Sequence, residues 1–320
     1  IVQLVTVSAM KLVIGCRNTV EIAQDSNYQK MLAMMRNRPA GIPLLTVSNH
    51  VSSMDDPGLI SCILPFDVLM TPNRVRWSIA TQEIVFPDIP FVQAFMGAGQ
   101  VLPVYRGGGI DQGLLMDLAR QLSAGRWAHI FPEARVIQTG IIGRDPITRR
   151  SAAEERSKGR LKWGVGKLIA HSPVKPVLMP FYHLGMQSVL PQHNVWEGKE
   201  FNNRVISWRN IKGGNRVKVW FGGEIQVDDI LAAHEKKHGP LWKLSTAPTG
   251  PCWDDAMAKW RSREVDKPLY SALTKRVEEA LISLQQRAHD EISNCTQKDF
   301  QPVCERSVAA MSSEIANRQP

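Results

Sequence analysis

Apolar positions in this chain fall into two kinds of block: short unbroken runs, and longer stretches in which they recur every three to four residues. The short runs read as buried strands. They are Ile42-Pro43-Leu44-Leu45-Thr46-Val47-Ser48, Val101 to Val104, Trp127 to Phe131, Val174 to Phe181, and Arg216 to Phe221 closed by Gly222-Gly223. Helical spacing predicts helices over 19 to 38, with Val20, Ala23, Met31, Met34 and Met35 on the apolar side, and over Ile110 to Ala124, stopped by Gly125. A short helix is expected over Pro57 to Leu64, and Arg160 to Ile169 resumes a helical pattern. Leu269, Leu273, Val277, Leu281, Leu284, Ala288 and Ile292 mark a long amphipathic helix that Pro268 starts. Strands alternating with helices from 42 to 223 predict an α/β fold: one domain with a mixed, mainly parallel central sheet flanked by helices.

The same pattern divides the chain. Residues 1–18 are expected to anchor it at a membrane, and 19–230 to form the α/β domain, with a polar, charged insertion at 144–158. Residues 231–294 read as a helical extension packed on that domain, and 295–320 as a tail. As a helix, Ile1 to Gly15 would run only about 22 Å, short of the roughly 30 Å hydrocarbon core. It suits the remnant of a spanning helix, an interfacial anchor or a core helix. The chain begins at Ile1 without an initiator Met, as a fragment or a processed form would.

Composition changes this picture little, and charge changes it more. With 320 residues and 43% hydrophobic content the chain has ample material for a core. Its 39 Lys and Arg against 30 Asp and Glu give +9, which favours an anionic partner: phosphate, nucleic acid or an acidic bilayer. The basic residues are dispersed and carry no recognition motif, so nucleic acid is disfavoured. Five cysteines, with no C-x2-C pair, predict reduced thiols. Arg74-Val75-Arg76-Trp77 suits a headgroup region as well as it suits a solvated loop with one buried Trp.

Candidate chemistry gathers where strands end. The run 42–48 delivers Asn49-His50-Val51-Ser52-Ser53-Met54-Asp55. On a straight helix His50 and Asp55 would stand roughly 140° apart, so their pairing requires a turn. Such a turn lets Asp55 accept one imidazole proton while the other ring nitrogen faces a substrate. Tyr105-Arg106-Gly107-Gly108-Gly109 offers an Arg beside a glycine turn, fitting either an anion site or a hairpin with a surface Arg. Glu133 and Arg135 follow the run Trp127 to Phe131. Sites in open α/β sheets form beyond the carboxyl ends of strands, where His50, Arg106, Glu133 and Arg135 would converge. A metal is disfavoured, since His50 and Asp55 give two ligands and no third stands at ligand spacing. Ser52 and Ser53 lack a nucleophile elbow. His129 and His183 lie in apolar strands or at their ends and read as core histidines.

Laid out in this way, the chain resembles the glycerophospholipid acyltransferase family. His50 to Asp55 is similar to its His-x4-Asp motif, Val104-Tyr105-Arg106-Gly107 to the second motif, Phe131-Pro132-Glu133-Ala134-Arg135 to the third, and Val177-Leu178-Met179-Pro180 to the fourth. The resemblance implies an acyltransferase in which His50 is the general base, Asp55 its partner, and Arg106, Glu133 and Arg135 the substrate-binding residues. Closer local matches, among them Trp127-Ala128-His129-Ile130-Phe131 and His183-Leu184-Gly185-Met186, imply the branch that moves acyl chains between phospholipid and lysophospholipid without CoA or other cofactor. That branch remodels cardiolipin on a mitochondrial membrane, facing the intermembrane space from a monotopic position. A CoA-dependent lysophosphatidate acyltransferase would carry the same four motifs. One departure stands out: the family often has Gly-Lys after the third-motif Glu, where this chain has Ala134-Arg135.

Overall fold

The computed structural model describes residues 2–71, 74–86, 88, 90–142, 161–191, 211–244 and 253–294. The insertion at 144–158, the tail from 295, and Cys252, Cys295 and Cys304 lie outside them. Cys16 and Cys62 are free thiols.

Among the described residues seven strands form the framework: β1 (Thr19–Ile22), β2 (Leu44–Ser48), β3 (Ser78–Thr81), β4 (Val101–Val104), β5 (Trp127–Ile130), β6 (Val177–Leu184) and β7 (Arg216–Phe221). Five of them make a sheet in the order β1-β7-β6-β2-β5, and β3 and β4 make a parallel pair. Trp77 joins the two, bridging to Ala128 as the residue just before β3. Strands β6, β2 and β5 run parallel, and only the β6–β7 junction is antiparallel. The carboxyl ends of β2, β5 and β6 therefore lie along one edge.

Both faces of this sheet are covered, which is why its strands are apolar runs rather than alternating ones. On one face Leu45, Val47, Ala128, Leu178 and Tyr182 pack with the helices Gly113–Ser123, Gly164–His171 and Lys267–Asn294. On the other face Leu44, Trp127, Met179 and Phe181 pack with the helices Val2–Arg17 and Ser26–Asn37 and with the turn Asp55–Leu59. The long helix approaches so closely that a Cβ on Gly166 would stand 2.3 Å from the Tyr270 carbonyl oxygen.

Three expectations change. Residues 19 to 38 are not one helix: Thr19–Ile22 pairs with Arg216 to Val219, and the helix begins at Ser26 after Asp25, whose Oδ1 accepts from Asn27 and Tyr28 N–H. Three of those four residues, Thr19, Val20 and Ile22, are β-branched, and a free sheet edge outweighs their helical spacing. The strand expected over Val174 to Phe181 instead spans Val177–Leu184, which carries His183 into the sheet. Arg76 lies neither among headgroups nor in solvent; it is buried against Asp56, whose charge compensates for its loss of water.

At the amino end, the helix Val2–Arg17 turns Met10 and Ile14 into the core, with Ile14 against Gly58. No helix among the described residues is long and apolar enough to cross a membrane.

Candidate active site

His50 leaves the end of β2, and the chain turns so that Asp55 comes back beneath it. Asp55 is fully buried, and its Oδ2 accepts from His50 Nδ1–H at 2.9 Å, from Val51 N–H at 2.7 Å and from Ser52 N–H at 2.9 Å. Because Oδ2 can only accept when ionised, Nδ1 carries the ring proton and Nε2 is left basic. The His50 side chain is 19% exposed, which gives a substrate access to it. Its ring stacks on Phe131, with centroids 4.2 Å apart and planes 20° apart.

The backbone of His50 is held equally firmly. Its N–H donates to Glu133 Oε1 at 2.8 Å, and its carbonyl accepts from Ile137 N–H at 2.6 Å. Glu133, following β5, is buried, and that burial pushes its carboxyl up to about 8; the Asp55 charge adds to this, while the His50 N–H and Arg135 work against it. At neutral pH Glu133 therefore carries mostly the proton. Beside it, Ala134 adopts a left-handed backbone at φ 54°, the conformation a glycine takes without strain.

A polar layer underlies the site on the Phe181 face of the sheet. Trp127 Nε1–H donates to Thr46 Oγ1 at 2.9 Å; that oxygen lies 2.9 Å from His129 Nδ1, and His129 Nε2 lies 3.4 Å from Ser48 Oγ. Ser48 Oγ in turn donates to the Asn49 carbonyl at 3.1 Å. Burial drives the His129 ring down to about 3, so it stays neutral throughout the physiological range. From β6, His183 brings Nε2 to 3.1 Å from the same Asn49 carbonyl and 3.7 Å from Asp55 Oδ2.

Asp56 faces the other way. It takes a bidentate pair from Arg76, Nε–Oδ1 at 2.9 Å and Nη2–Oδ2 at 2.6 Å, together with Ser78 Oγ–H at 2.9 Å. Burial alone would raise its carboxyl, but the Arg76 guanidinium outweighs it and holds the group below the usual range. Arg76 also donates to the Gly99 carbonyl at 3.1 Å, so the turn after His50 is tied to β3 and to the segment before β4.

The structure thus brings together His50, Asp55 and Glu133, with Arg135 following in the same loop. Arg106 stands exposed beyond β4, at the same edge as His50 but with β5 and β3 between their strands. Sequence reasoning placed His129 and His183 in the core, where both lie, and gave neither them nor Asn49, Asp56 and Arg76 a place around the site. Nothing local marks these residues; Asn49 and His183 are 134 positions apart. Among the described residues no cluster of His, Cys, Asp or Glu could hold a metal ion.

Comparison with known proteins agrees with the resemblance to acyltransferases. The acyltransferase family model matches residues 32–183. Tafazzin of Drosophila melanogaster is 31% identical over 214 residues, 67% of this chain and 48% of that protein. N-acylphosphatidylethanolamine synthase of Arabidopsis thaliana is 35% identical over 170 residues, 52% of this chain and 53% of that protein. Tafazzin of Saccharomyces cerevisiae is 24% identical over 281 residues, 78% of this chain and 68% of that protein. The chain spans about half the length of the first two. A solved 1-acyl-sn-glycerophosphate acyltransferase from Thermotoga maritima aligns over 84% of this chain and 79% of its own at 14% identity, with a TM-score of 0.36. The chain is thus tafazzin-like, and over residues 32–183 it matches the acyltransferase family.

Proposed function

We propose that this chain transfers an acyl group from a phospholipid to a lysophospholipid without CoA, with His50 as general base. One observation carries the reading: a buried carboxylate fixes the Nδ1 tautomer of a part-exposed imidazole, leaving Nε2 to take a proton. Nε2 removes the proton from the free hydroxyl of the lysophospholipid as that oxygen attacks the donor's ester carbonyl. The tetrahedral centre then collapses, and His50 returns the proton to the departing alkoxide, which leaves as the new lysophospholipid. Asp55 holds the ring and stabilises the imidazolium between these steps. Exchange of one carboxylic ester for another is nearly thermoneutral, so no activated donor is required.

Arg106, Glu133 and Arg135 are proposed to hold the phosphate and glycerol part of the substrate, Glu133 also acting through its bond to the His50 backbone. Arg135 follows the His50–Glu133 contact directly, whereas Arg106 would have to approach from the exposed turn after β4, with β5 and β3 between its strand and that of His50. The similarity to tafazzins supports a mitochondrial membrane surface facing the intermembrane space, and cardiolipin among the lipids remodelled. The Arabidopsis relative, by its name, makes an N-acylphosphatidylethanolamine, so phosphatidylethanolamine belongs among the acceptors tried.

The test mixes purified protein with labelled phospholipid and unlabelled lysophospholipid in the absence of CoA. Label should pass to the lysophospholipid. Transfer from acyl-CoA alone would instead make the chain a CoA-dependent lysophospholipid acyltransferase, and no transfer from either donor would remove the activity. His50→Ala and Asp55→Asn should abolish turnover with liposome binding unchanged. Asp55→Asn keeps an acceptor for Nδ1–H but loses the charge, a change that costs about 10⁴-fold where an Asp supports a catalytic His in this way.

A further inference from the structure

The register between β2 and β6 ends at Ser48 opposite Phe181. One step beyond, the Asn49 side chain stands in for a strand: its Oδ1 accepts from His183 N–H at 3.0 Å, and its Nδ2 donates to the His183 carbonyl at 2.9 Å. The two strand ends stay locked together although their backbones have parted. This clamp sets the direction of the His183 ring, which is fully buried. Both groups near His183 Nε2, the Asn49 carbonyl and the Asp55 carboxylate, only accept. The proton on this imidazole is therefore on Nε2, and it points at the peptide that leads into His50.

That peptide is gripped at both ends. Its carbonyl, on Asn49, accepts from Ser48 Oγ and from His183 Nε2, each at 3.1 Å; its N–H, on His50, donates to Glu133 Oε1 at 2.8 Å. Three side chains from β2, β6 and the loop after β5 thus fix one peptide plane, and the plane fixes where the His50 Cα–Cβ bond points. Burial keeps the His183 ring neutral, so it offers Asp55 a dipole without a competing charge.

We propose that His183, held by Asn49, is a positioning residue for acyl transfer: its Nε2–H fixes the Asn49–His50 peptide and so aims His50 Nε2 at the attacking hydroxyl. The proposal rests on His50 being the base. A misplacement of about 1 Å at a base can cost about 10²-fold in rate, while lipid binding made elsewhere is untouched. The loss therefore belongs in kcat.

The chemistry of the substitutions separates a positioning role from plain filling of space. In Gln the amide nitrogen reaches about as far as imidazole Nε2, and in Asn about as far as Nδ1. His183→Gln should retain kcat within about threefold, while His183→Asn and His183→Leu should lose roughly 10²-fold with KM for the lysophospholipid within about twofold. Parent protein and His50→Ala run in the same CoA-free assay. Turnover in His50→Ala would sink the base reading and this proposal with it. A dead His50→Ala beside a fully active His183→Leu would sink the proposal alone. Equal losses in the Gln and Asn variants, or a loss confined to KM, would also overturn it. If the Leu variant does not fold, as read by circular dichroism, the Gln and Asn pair carries the comparison. A readout independent of activity is ¹⁵N-histidine NMR of the parent at neutral pH, where His183 should appear as the neutral Nε2–H tautomer; an Nδ1–H tautomer would refute the arrangement.

Discussion

At the scale of single residues, Glu133 couples stability to pH in a way that can be measured. Its folded value, raised by burial to about 8, lies above the 4.5 of a free glutamate. A raised acid contributes stability that is complete below the unfolded value and declines as pH climbs towards the folded one. In urea unfolding followed from pH 4.5 to 8.5, the stability of the parent relative to Glu133→Gln should fall as pH rises, a difference in which the opposite slope of buried neutral histidines such as His129 cancels. The glutamine keeps an oxygen for the His50 N–H, so turnover should survive better than in Glu133→Ala; equal pH slopes in parent and Gln variant would place the proton elsewhere. Its neighbour Ala134 makes a second prediction. A left-handed Ala costs roughly 1–2 kcal/mol, and a glycine in its place loses roughly 0.5–1 kcal/mol in chain entropy, so Ala134→Gly should gain about 0.5 kcal/mol in the same unfolding experiment. The sequence exposed this position, because glycine is what the resembling motif often carries there. His50 and Asp55 were also legible, since five residues and one turn join them. The Asn49–His183 clamp was not: each residue by itself looks like a polar side chain ending an apolar run, and only the β2–β6 pairing brings them together.

At the scale of elements, the turn that delivers Asp55 is held by a charge pair no periodicity reveals. Asp56 is tied to Arg76 and Ser78, and through Arg76 to the Gly99 carbonyl, so the short β3–β4 sheet is fastened to the turn that carries Asp55. Removing one partner leaves the other charged and buried, typically a loss of about 3–5 kcal/mol. Arg76→Ala should lower stability by about that amount and reduce kcat, because the displaced turn carries Asp55. Arg76→Lys keeps the charge without the two-pronged geometry and should fall between. Denaturation midpoints of the two variants check the order, and an unaffected Arg76→Ala would mean that Asp56 is reached by water. Interleaved Arg and Trp in sequence could not disclose this, because the compensating carboxylate is 20 residues upstream and on another element. Thr19–Ile22 was hidden for a related reason: its partner strand, Arg216–Phe221, lies nearly 200 positions away, and only that pairing decides between strand and helix.

At the scale of the whole molecule, the amino-terminal helix is where packing and the proposed membrane attachment can be separated. Met10 and Ile14 point into the core, whereas Leu12 is 55% exposed. Close by, Lys11 donates to the Ser61, Cys62 and Leu64 carbonyls and lies over the Phe66 ring at 5.2 Å, so the helix Phe66–Leu69 is fixed beside it. Phe66 and Met70, four residues apart and so on one side of that turn, are 49% and 53% exposed. Leu12, Phe66 and Met70 are therefore the apolar side chains the fold offers to a bilayer in this region, on a chain of net charge +9. Burying the exposed half of each in lipid is worth about 1 kcal/mol, so replacing all three by serine should weaken binding to anionic vesicles roughly hundredfold. Thermal stability should hardly change, because little of the core is touched. Ile14→Ala should do the reverse, costing about 2–5 kcal/mol of stability with vesicle affinity retained while the protein is folded. Vesicle sedimentation and thermal unfolding on the same three proteins decide the matter: if the triple serine variant binds as the parent does, the membrane contact lies elsewhere on the chain, and the helix Val2–Arg17 acts here through its inward face.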